Sequence, residues 1–348
     1  MGHPNIHNRT PFAFDALFLC NEDGAPVAAA VVKATYSIRD GSRLELAEVQ
    51  APLNAVGEFW HDEPESSYRY EPETALFKPA SDVVLVGHAW APGPRVRSVN
   101  VGFQVGPIQK ALKVSGDRYW ERSLGGLSMT KAEPFEKMPL TFERSFGGWD
   151  RSHADPQKHT FEPGNPVGTG FRDRKAPFEA GIRLPNLEDP RHPIRNYGDT
   201  PPPAGFGFIS PHWQPRAGFA GTYDDAWEKT RKPLLPKDFD RRFFNAAPQD
   251  QIVNGYLRGD EPVVVTNASP GGRTTFRLPG IPPPICQVVL RGRRRHELRT
   301  RLDTVIVNTD DNLVFLIWRT HLALKSGPED VVSIEIVPES IPGHANQE

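Results

Sequence analysis

Residues 96–114, which read VRSVNVGFQV-GP-IQKALKV, decide the fold of this chain. Apolar and polar residues alternate in the first arm, and side chains two positions apart in a strand share one face of a sheet. The residues on that face are Val99, Val101, Phe103 and Val105. Gly106-Pro107 supplies the turn before the second arm. The stretch therefore predicts a β-hairpin with one buried face.

Similar runs surround this hairpin in both directions along the chain. Towards the N-terminus, the candidate strands are Phe12–Cys20, Val27–Ile38, Arg43–Glu48 and Asp82–Trp90. Towards the C-terminus, they are Glu261–Thr266, Arg273–Leu278, Ile285–Arg291, Glu297–Asn308, Leu313–Thr320 and Val331–Val337. Turn residues separate most of them. We expect a β-meander over residues 1–125 and a second β-rich zone over residues 255–348.

The composition agrees with a mainly β fold. The chain has 36 Pro and 30 Gly among 348 residues, and their even spread argues against long helices. Residues 126–254 have little periodicity but many aromatic residues, which predicts ordered loops with a few short helices. The best helix candidate is Ala220–Arg231, with Thr222 as its cap and Pro233 as its stop. No linker divides the chain, so we expect one composite domain over residues 1–348, with β-sandwich or meander-like ends.

Charge and cysteine content limit the class of protein. With 41 basic and 43 acidic residues the net charge is −2, which argues against a nucleic-acid binder. The longest apolar runs are far shorter than the ~20 residues of a membrane span. The two cysteines, Cys20 and Cys286, cannot form a disulfide framework. The first residues lack the pattern of a secretory signal, so we expect a cytoplasmic protein with reduced thiols.

Three groups of side chains are candidates for chemistry. The run Asp150–His159 holds carboxylates and imidazoles that could ligate a metal, although a polar surface loop is the simpler interpretation. The acidic patch His61–Glu65 is interpreted as a solvated loop. Glu143, Asp238 and Asp240 could act as paired carboxylates in hydrolysis. All three lie beside arginines, which favours ion pairs.

Motifs that identify common enzymes are absent from the sequence. There is no Gly-x-Ser-x-Gly elbow, no phosphate-binding loop and no His-Glu-x-x-His pair. We therefore predict no catalytic residue, no cofactor and no metal. Arg118 and Arg144, each beside a carboxylate, are interpreted as structural ion-pairing residues.

Arg291–His296 is the one basic run of the chain. It could contact phosphates. Because it lies between two predicted strands and contains Gly292, a charged hairpin tip is the favoured interpretation. Such a tip could also dock an acidic partner.

Short motifs spread along the chain resemble, in their order, a bacterial family long known only as a domain of unknown function. They are Asn8–Phe12, Val32–Tyr36, Lys78–Val83, Gly87–Pro92, Val114–Trp120, Met138–Leu140, Glu143–Gly148, Asn165–Gly170, Leu184–Glu188, Trp213–Arg216, Ala220–Asp224, Leu235–Asp240 and Phe243–Pro248. Members of that family are encoded beside type VI secretion spike and toxin genes. They are regarded as adaptors that load an effector onto the spike.

This resemblance covers the chain from about Asn8 to Arg319 and implies a non-enzymatic adaptor or effector chaperone. Its partners would be a secreted toxin effector and a VgrG or PAAR spike protein, without nucleic acid or membrane insertion. Rigid loops with aromatic and Arg anchors suit such binding. The candidate anchors are Trp149, Phe171, Arg172, Trp213, Arg216 and Tyr223. The alternative is a carbohydrate-active or other hydrolase that uses the central carboxylates.

Overall fold

The computed structural model describes residues 4–61, 66–124, 126–173, 175–176 and 178–339. Most of the acidic patch predicted at His61–Glu65 lies outside the described residues. Within them the chain forms 25 strands, one α-helix and six 3-10 helices. With 40% of the chain in strands and 8% in helices, the protein is mainly β, as the sequence predicted.

The strands are numbered in chain order. The first nine are β1 (Asn5–Asn8), β2 (Ala13–Cys20), β3 (Pro26–Arg39), β4 (Arg43–Leu46), β5 (Glu58–Phe59), β6 (Tyr68–Tyr70), β7 (Asp82–Val86), β8 (His88–Trp90) and β9 (Ser98–Val105). The next nine are β10 (Ile108–Ser115), β11 (Trp120–Ser123), β12 (Gly126–Met129), β13 (Lys137–Pro139), β14 (Phe146–Gly147), β15 (Trp149–Asp150), β16 (Thr160–Phe161), β17 (Thr169–Gly170) and β18 (Leu187–Glu188). The last seven are β19 (Pro262–Thr266), β20 (Arg273–Arg277), β21 (Ile285–Leu290), β22 (Arg295–Arg299), β23 (Arg301–Asn308), β24 (Leu313–Ala323) and β25 (Val331–Val337).

Helical structure is short and lies mostly in the centre of the chain. The α-helix, α1, is Asp225–Thr230. The 3-10 helices are Phe142–Arg144, Pro156–Lys158, Arg216–Ala220, Arg241–Phe244, Gln249–Gln251 and Pro328–Asp330.

Three large sheets organise the molecule. The central sheet has the order β2-β3-β24-β23-β7, with β4 paired to β3. The hairpin sheet has the order β18-β10-β9-β19-β20, and the C-terminal sheet has the order β1-β25-β21-β22. Most neighbours are antiparallel, but β7 runs parallel to β23 and β1 runs parallel to β25. In each large sheet, a strand from the first 125 residues thus pairs with a strand from residues 255–348.

The predicted hairpin is confirmed as β9 and β10. Val105 pairs with Ile108 across the turn, and the pairing continues to Ser98 and Ser115. Val101 and Phe103 are almost fully buried, as the period-2 pattern predicted. The hairpin thus supplies one wall of the largest hydrophobic cluster.

The central sheet is covered on both faces. One face packs against the hairpin sheet through a shared apolar cluster that includes Val32, Ala34, Val305, Val307 and Leu316. The opposite face packs against loops of the central zone through Val31, Val84, Ile306, Phe315 and Ile317. Strands buried on both faces are continuous apolar runs instead of alternating ones. The loop-rich centre is therefore an ordered layer that rests on the sheet.

Two predicted strands are each divided in the structure. Asp82–Trp90 breaks at Gly87, where the chain passes so close to Thr309 that a Cβ would not fit. Glu297–Asn308 breaks at Thr300, whose hydroxyl donates to the Pro284 carbonyl at 2.7 Å. At each break the chain leaves one sheet and enters another. Side chains on both sides are strand-forming, so the sequence pattern does not reveal the break.

The predicted helix Ala220–Arg231 is also shorter than expected. Asp224, not Thr222, caps α1, since its carboxylate accepts the Trp227 N–H at 2.8 Å. The Thr222 hydroxyl donates instead to Asp238 at 2.7 Å. Gly221 has a φ of +85°, which separates the helix from the preceding 3-10 turn.

Candidate functional site

A cleft of 680 Å³ is lined by Lys110 of β10, by the chain entering β7 and by loops of the central zone. Its wall is mainly apolar, and proline is its commonest residue type. The apolar residues of the wall include Pro202, Pro203, Ile209, Pro215, Phe219 and Pro248. Because proline fixes φ and lacks an N–H, these walls are stiff and present few unpaired donors. A stiff apolar cleft costs little conformational entropy when a ligand enters it.

Arg216 holds one wall of this cleft in place. Its Nη1 donates to the Ile209 carbonyl at 2.7 Å and its Nε donates to the Phe243 carbonyl at 2.9 Å. The guanidinium also lies 3.4 Å from a Glu71 carboxylate oxygen and 5.3 Å from the centre of the Phe243 ring. Arg216 was predicted to bind a partner directly. In the structure its donors join loops of the chain, so it shapes the cleft from within.

Asp82, the first residue of β7, anchors another wall. Its carboxylate accepts the Asn245 side-chain amide at 2.8 Å and the Ala246 N–H at 2.9 Å. Asn245 also donates to the Ala80 carbonyl at 2.8 Å. Lys78 neutralises the buried carboxylate at 2.7 Å. These bonds fasten the cleft loops to the edge of the central sheet.

Four charged side chains form the polar end of the cleft. The side chain of Lys110 is only 7% exposed, and its Nζ lies 2.8 Å from Asp250 Oδ1. Burial lowers the pKa of Lys110, and the Asp250 charge opposes that effect. Asp189 accepts from Arg191 Nε at 3.0 Å and Nη2 at 2.7 Å, and these hydrogen bonds bring the pKa of Asp189 to about 2. Each charge therefore already faces an opposite one.

Sequence reasoning missed Lys110, although a signal for it exists. Ile108, Lys110, Leu112 and Val114 fall on one face of β10 by the period of 2. The three apolar members are buried. A lysine among inward-facing positions marks a place where the core opens to a polar partner.

Two of the six predicted anchors are exposed aromatic side chains. Trp149 is 44% exposed and stacks on Phe161, with ring centres 4.5 Å apart. Tyr223 is 53% exposed and contacts Trp227 edge-on at 4.7 Å. Both are accessible to a partner, as their predicted role as anchors requires.

The other two aromatic residues predicted as anchors are buried or half-buried. Trp213 is 1% exposed and packs edge-on against Phe142 at 5.6 Å. It belongs to the core, so its assignment as a surface anchor is corrected. Phe171 is half-buried and packs against Phe146.

Asp150 organises the loop that was considered as a metal site. Its buried carboxylate pairs with Arg172 at 2.9 Å and accepts the N–H groups of Ser152 and Asp173, each at 2.9 Å. Arg172 also pairs with Glu179. Within the described ranges, no three His, Cys, Asp or Glu side chains are grouped as metal ligands. Arg172, a predicted anchor, therefore serves first to fix this loop.

The carboxylates considered for hydrolysis have structural partners. Glu143 accepts the Ser67 N–H at 2.6 Å and the Ser67 hydroxyl at 2.9 Å, whereas its expected partner, Arg144, lies near Asp117. Asp238 accepts the N–H and the hydroxyl of Thr222, and these bonds lower the pKa of Asp238.

The ion pair expected for Asp240 is present. Its Oδ2 accepts from Arg242 Nε at 2.9 Å, and its Oδ1 accepts the Arg242 N–H at the start of a 3-10 helix. Of these three carboxylates, none lines the cleft.

Comparison with known proteins gives a family and no further relative. A family model described as an uncharacterized protein conserved in bacteria (DUF2169) matches residues 23–319. No curated protein and no solved structure matches the chain. In the described part of the chain, no helix has the length and apolar character needed to cross a membrane.

Proposed function

We propose, from the premise that the chain belongs to the bacterial DUF2169 family, that it is a non-enzymatic adaptor for a type VI secretion effector. It binds a segment of one secreted toxin in the cytoplasm and helps to load that toxin onto the VgrG or PAAR spike. The observation that carries this proposal is the proline-rich cleft. The assignment to type VI secretion rests on the ordered motifs that resemble the adaptor family.

The size and lining of the cleft favour a protein segment as its occupant. At 680 Å³ it falls within the roughly 300–1,000 Å³ of pockets that enclose a drug-sized ligand. That space takes a few side chains of an extended segment, not a folded domain. Apolar walls bind apolar side chains, and the charged end supplies an orientation.

Reversible loading also agrees with the surroundings of the cleft. An adaptor must bind its toxin before secretion and release it to the spike. Contacts of this kind have a small apolar centre and a polar rim. Trp149 and Phe161 form an exposed aromatic stack, and Phe161 is three positions before Gly164, which lines the cleft. We place the toxin segment in the cleft, with this stack as an additional anchor.

A deletion strain tests the proposed function. We expect deletion of this protein to abolish secretion of one cognate toxin, while spike assembly and unrelated effectors are unaffected. Affinity purification of the tagged protein from the native cell should recover that toxin or its spike. Normal toxin secretion without either partner in the pull-down would refute the adaptor. Turnover of a glycoside or ester that is lost in Glu143→Gln or Asp238→Asn would favour a hydrolase instead.

A further inference from the structure

The tip of the β21–β22 hairpin is a positively charged surface. Arg291, Arg293, Arg294 and Arg295 are all exposed. Among the described residues none of these four side chains has an ion pair or a hydrogen bond, whereas the exposed Arg241 and Arg242 pair with carboxylates. Unpaired arginines clustered on one turn create a local field that attracts carboxylates.

Acidic residues near the tip do not neutralise it. The Asp330 carboxylate accepts the N–H groups of Lys325 at 2.8 Å and Ser326 at 2.6 Å, which occupies it locally. Its backbone carbonyl accepts the Arg291 N–H at 2.8 Å. Residues 291–295 contain four arginines and no acidic residue. The turn itself is therefore positively charged.

Strand β22, which begins in this tip, is the outermost strand of the C-terminal sheet. It pairs with β21 on one side, from Arg295 opposite Val289 to Arg299 opposite Ile285. In the part of the chain that the structure describes, residues 295–299 make no backbone hydrogen bond on the other side. A free edge offers alternating N–H and C=O groups to another extended chain.

The outward side chains of β22 have a definite charge pattern. Arg295, Glu297 and Arg299 are exposed, while His296 and Leu298 are partly buried. The two arginines are four residues apart, roughly 13 Å along a strand. Arg299 already contacts the carboxylate of Glu339 at 3.0 Å and remains 80% exposed. Arg299 therefore pairs with a carboxylate while most of its side chain remains open to solvent.

We propose that β22 and the arginine tip form a docking edge for an extended acidic segment of a partner protein. The segment adds as a strand to β22, with acidic side chains facing Arg295 and Arg299 and a basic or polar one facing Glu297. A protein fits better than a nucleic acid, because a strand satisfies the free backbone groups and phosphates would meet Glu297. This edge is separate from the cleft and does not depend on the adaptor function.

A labelled synthetic peptide tests this edge. The probe is Thr-Glu-Val-Lys-Val-Glu-Thr, whose charges complement β22 in either strand direction. Fluorescence anisotropy at low salt should show binding to the full chain. The double variant Arg295→Glu/Arg299→Glu should bind it roughly tenfold or more weakly, since like charges then face each other. The charge-swapped peptide Thr-Lys-Val-Glu-Val-Lys-Thr should prefer this variant.

A matched control is available on β20. Arg273 and Arg277 are exposed, four residues apart and on the outermost strand of the hairpin sheet, but the Thr275 N–H there is bonded to Gly41. Arg273→Glu/Arg277→Glu should therefore leave binding of the first peptide unchanged. A peptide whose backbone amides are N-methylated should not bind, because it cannot pair as a strand.

Three results would overturn the docking edge. Equal binding of the N-methylated peptide would mean attraction to charge without strand addition. Tighter binding of a single-stranded oligothymidylate would indicate a nucleic-acid site. Self-association of the Arg295→Glu/Arg299→Glu variant, with unchanged peptide binding, would mean that the arginines only protect a sheet edge from pairing.

Discussion

Arg118→Ala should strongly destabilise the protein. Arg118 is buried and its Nη2 donates to Glu188 Oε2 at 2.7 Å and to the Pro185 carbonyl at 3.0 Å. The second oxygen of Glu188 accepts the Ile194 N–H at 3.0 Å. Removing the guanidinium leaves a buried carboxylate with no opposite charge. Breaking a buried pair in this way typically costs about 3–5 kcal/mol of unfolding free energy.

Arg144→Ala is the control for that prediction. The sequence indicated that both arginines are structural, but the structure separates their contributions. The Arg144 side chain is 32% exposed, 3.3 Å from Asn186 Oδ1 and 3.7 Å from Asp117 Oδ1. Asp117 keeps a closer partner in Arg183 at 2.5 Å. Exposed pairs contribute about 0–1 kcal/mol, so Arg144→Ala should have a small effect.

Urea unfolding followed by tryptophan fluorescence and circular dichroism gives the comparison. The midpoint of Arg118→Ala should fall well below that of Arg144→Ala. The apolar double variant Arg118→Met/Glu188→Leu should recover part of the loss, because it removes the stranded charge. Equal midpoints for the two single variants would refute the assignment of the Arg118–Glu188 pair as a buried structural contact.

The remaining predictions concern acid stability, thiols and one surface aromatic. The hydrogen bonds from Arg191 lower the pKa of Asp189 from 3.8 to about 2, so its stabilisation is complete above about pH 4 and is lost as the pH falls towards 2. Asp189→Asn should lower the melting temperature above about pH 4, and should make its fall between pH 4 and pH 2 less steep than in the unmodified protein; profiles of equal steepness would contradict this role of Asp189. Cys20 is exposed, whereas burial raises the pKa of Cys286 to about 12, so a thiol titration should find one reactive group before unfolding and two after it. Trp149→Ala should leave the melting temperature unchanged and weaken toxin binding by roughly tenfold or more; an unfolded variant, or unchanged binding, would contradict its role.

Local patterns were sufficient to predict much of the sheet structure. The β9–β10 hairpin was readable because its alternation and its Gly106-Pro107 turn agree. Val331–Val337 was predicted with the observed bounds. The breaks at Gly87 and Thr300 could not be predicted, because they depend on contacts with residues far away in the sequence.

The candidate site was less accessible to sequence reasoning. The cleft is formed by Lys110 together with loops that extend as far along the chain as Asn254. No short stretch of sequence therefore contains all of its lining residues. Trp149 and Trp213 look alike as loop tryptophans, but one is 44% and the other 1% exposed. Whether a loop tryptophan is buried depends on which sheet face its loop covers, and only the tertiary structure shows this.

A matched pair of tryptophan substitutions tests the central claim most directly. Gln249 lines the cleft, and Gln157 lies outside it. Both are exposed and both belong to three-residue 3-10 helices. Calorimetric titration with the purified cognate toxin should give a roughly tenfold or greater loss of affinity for Gln249→Trp, which places an indole at the edge of the cleft and excludes the toxin segment. Gln157→Trp should bind like the unmodified protein. Equal affinities for the two folded variants would contradict the assignment of the cleft as the toxin-binding site.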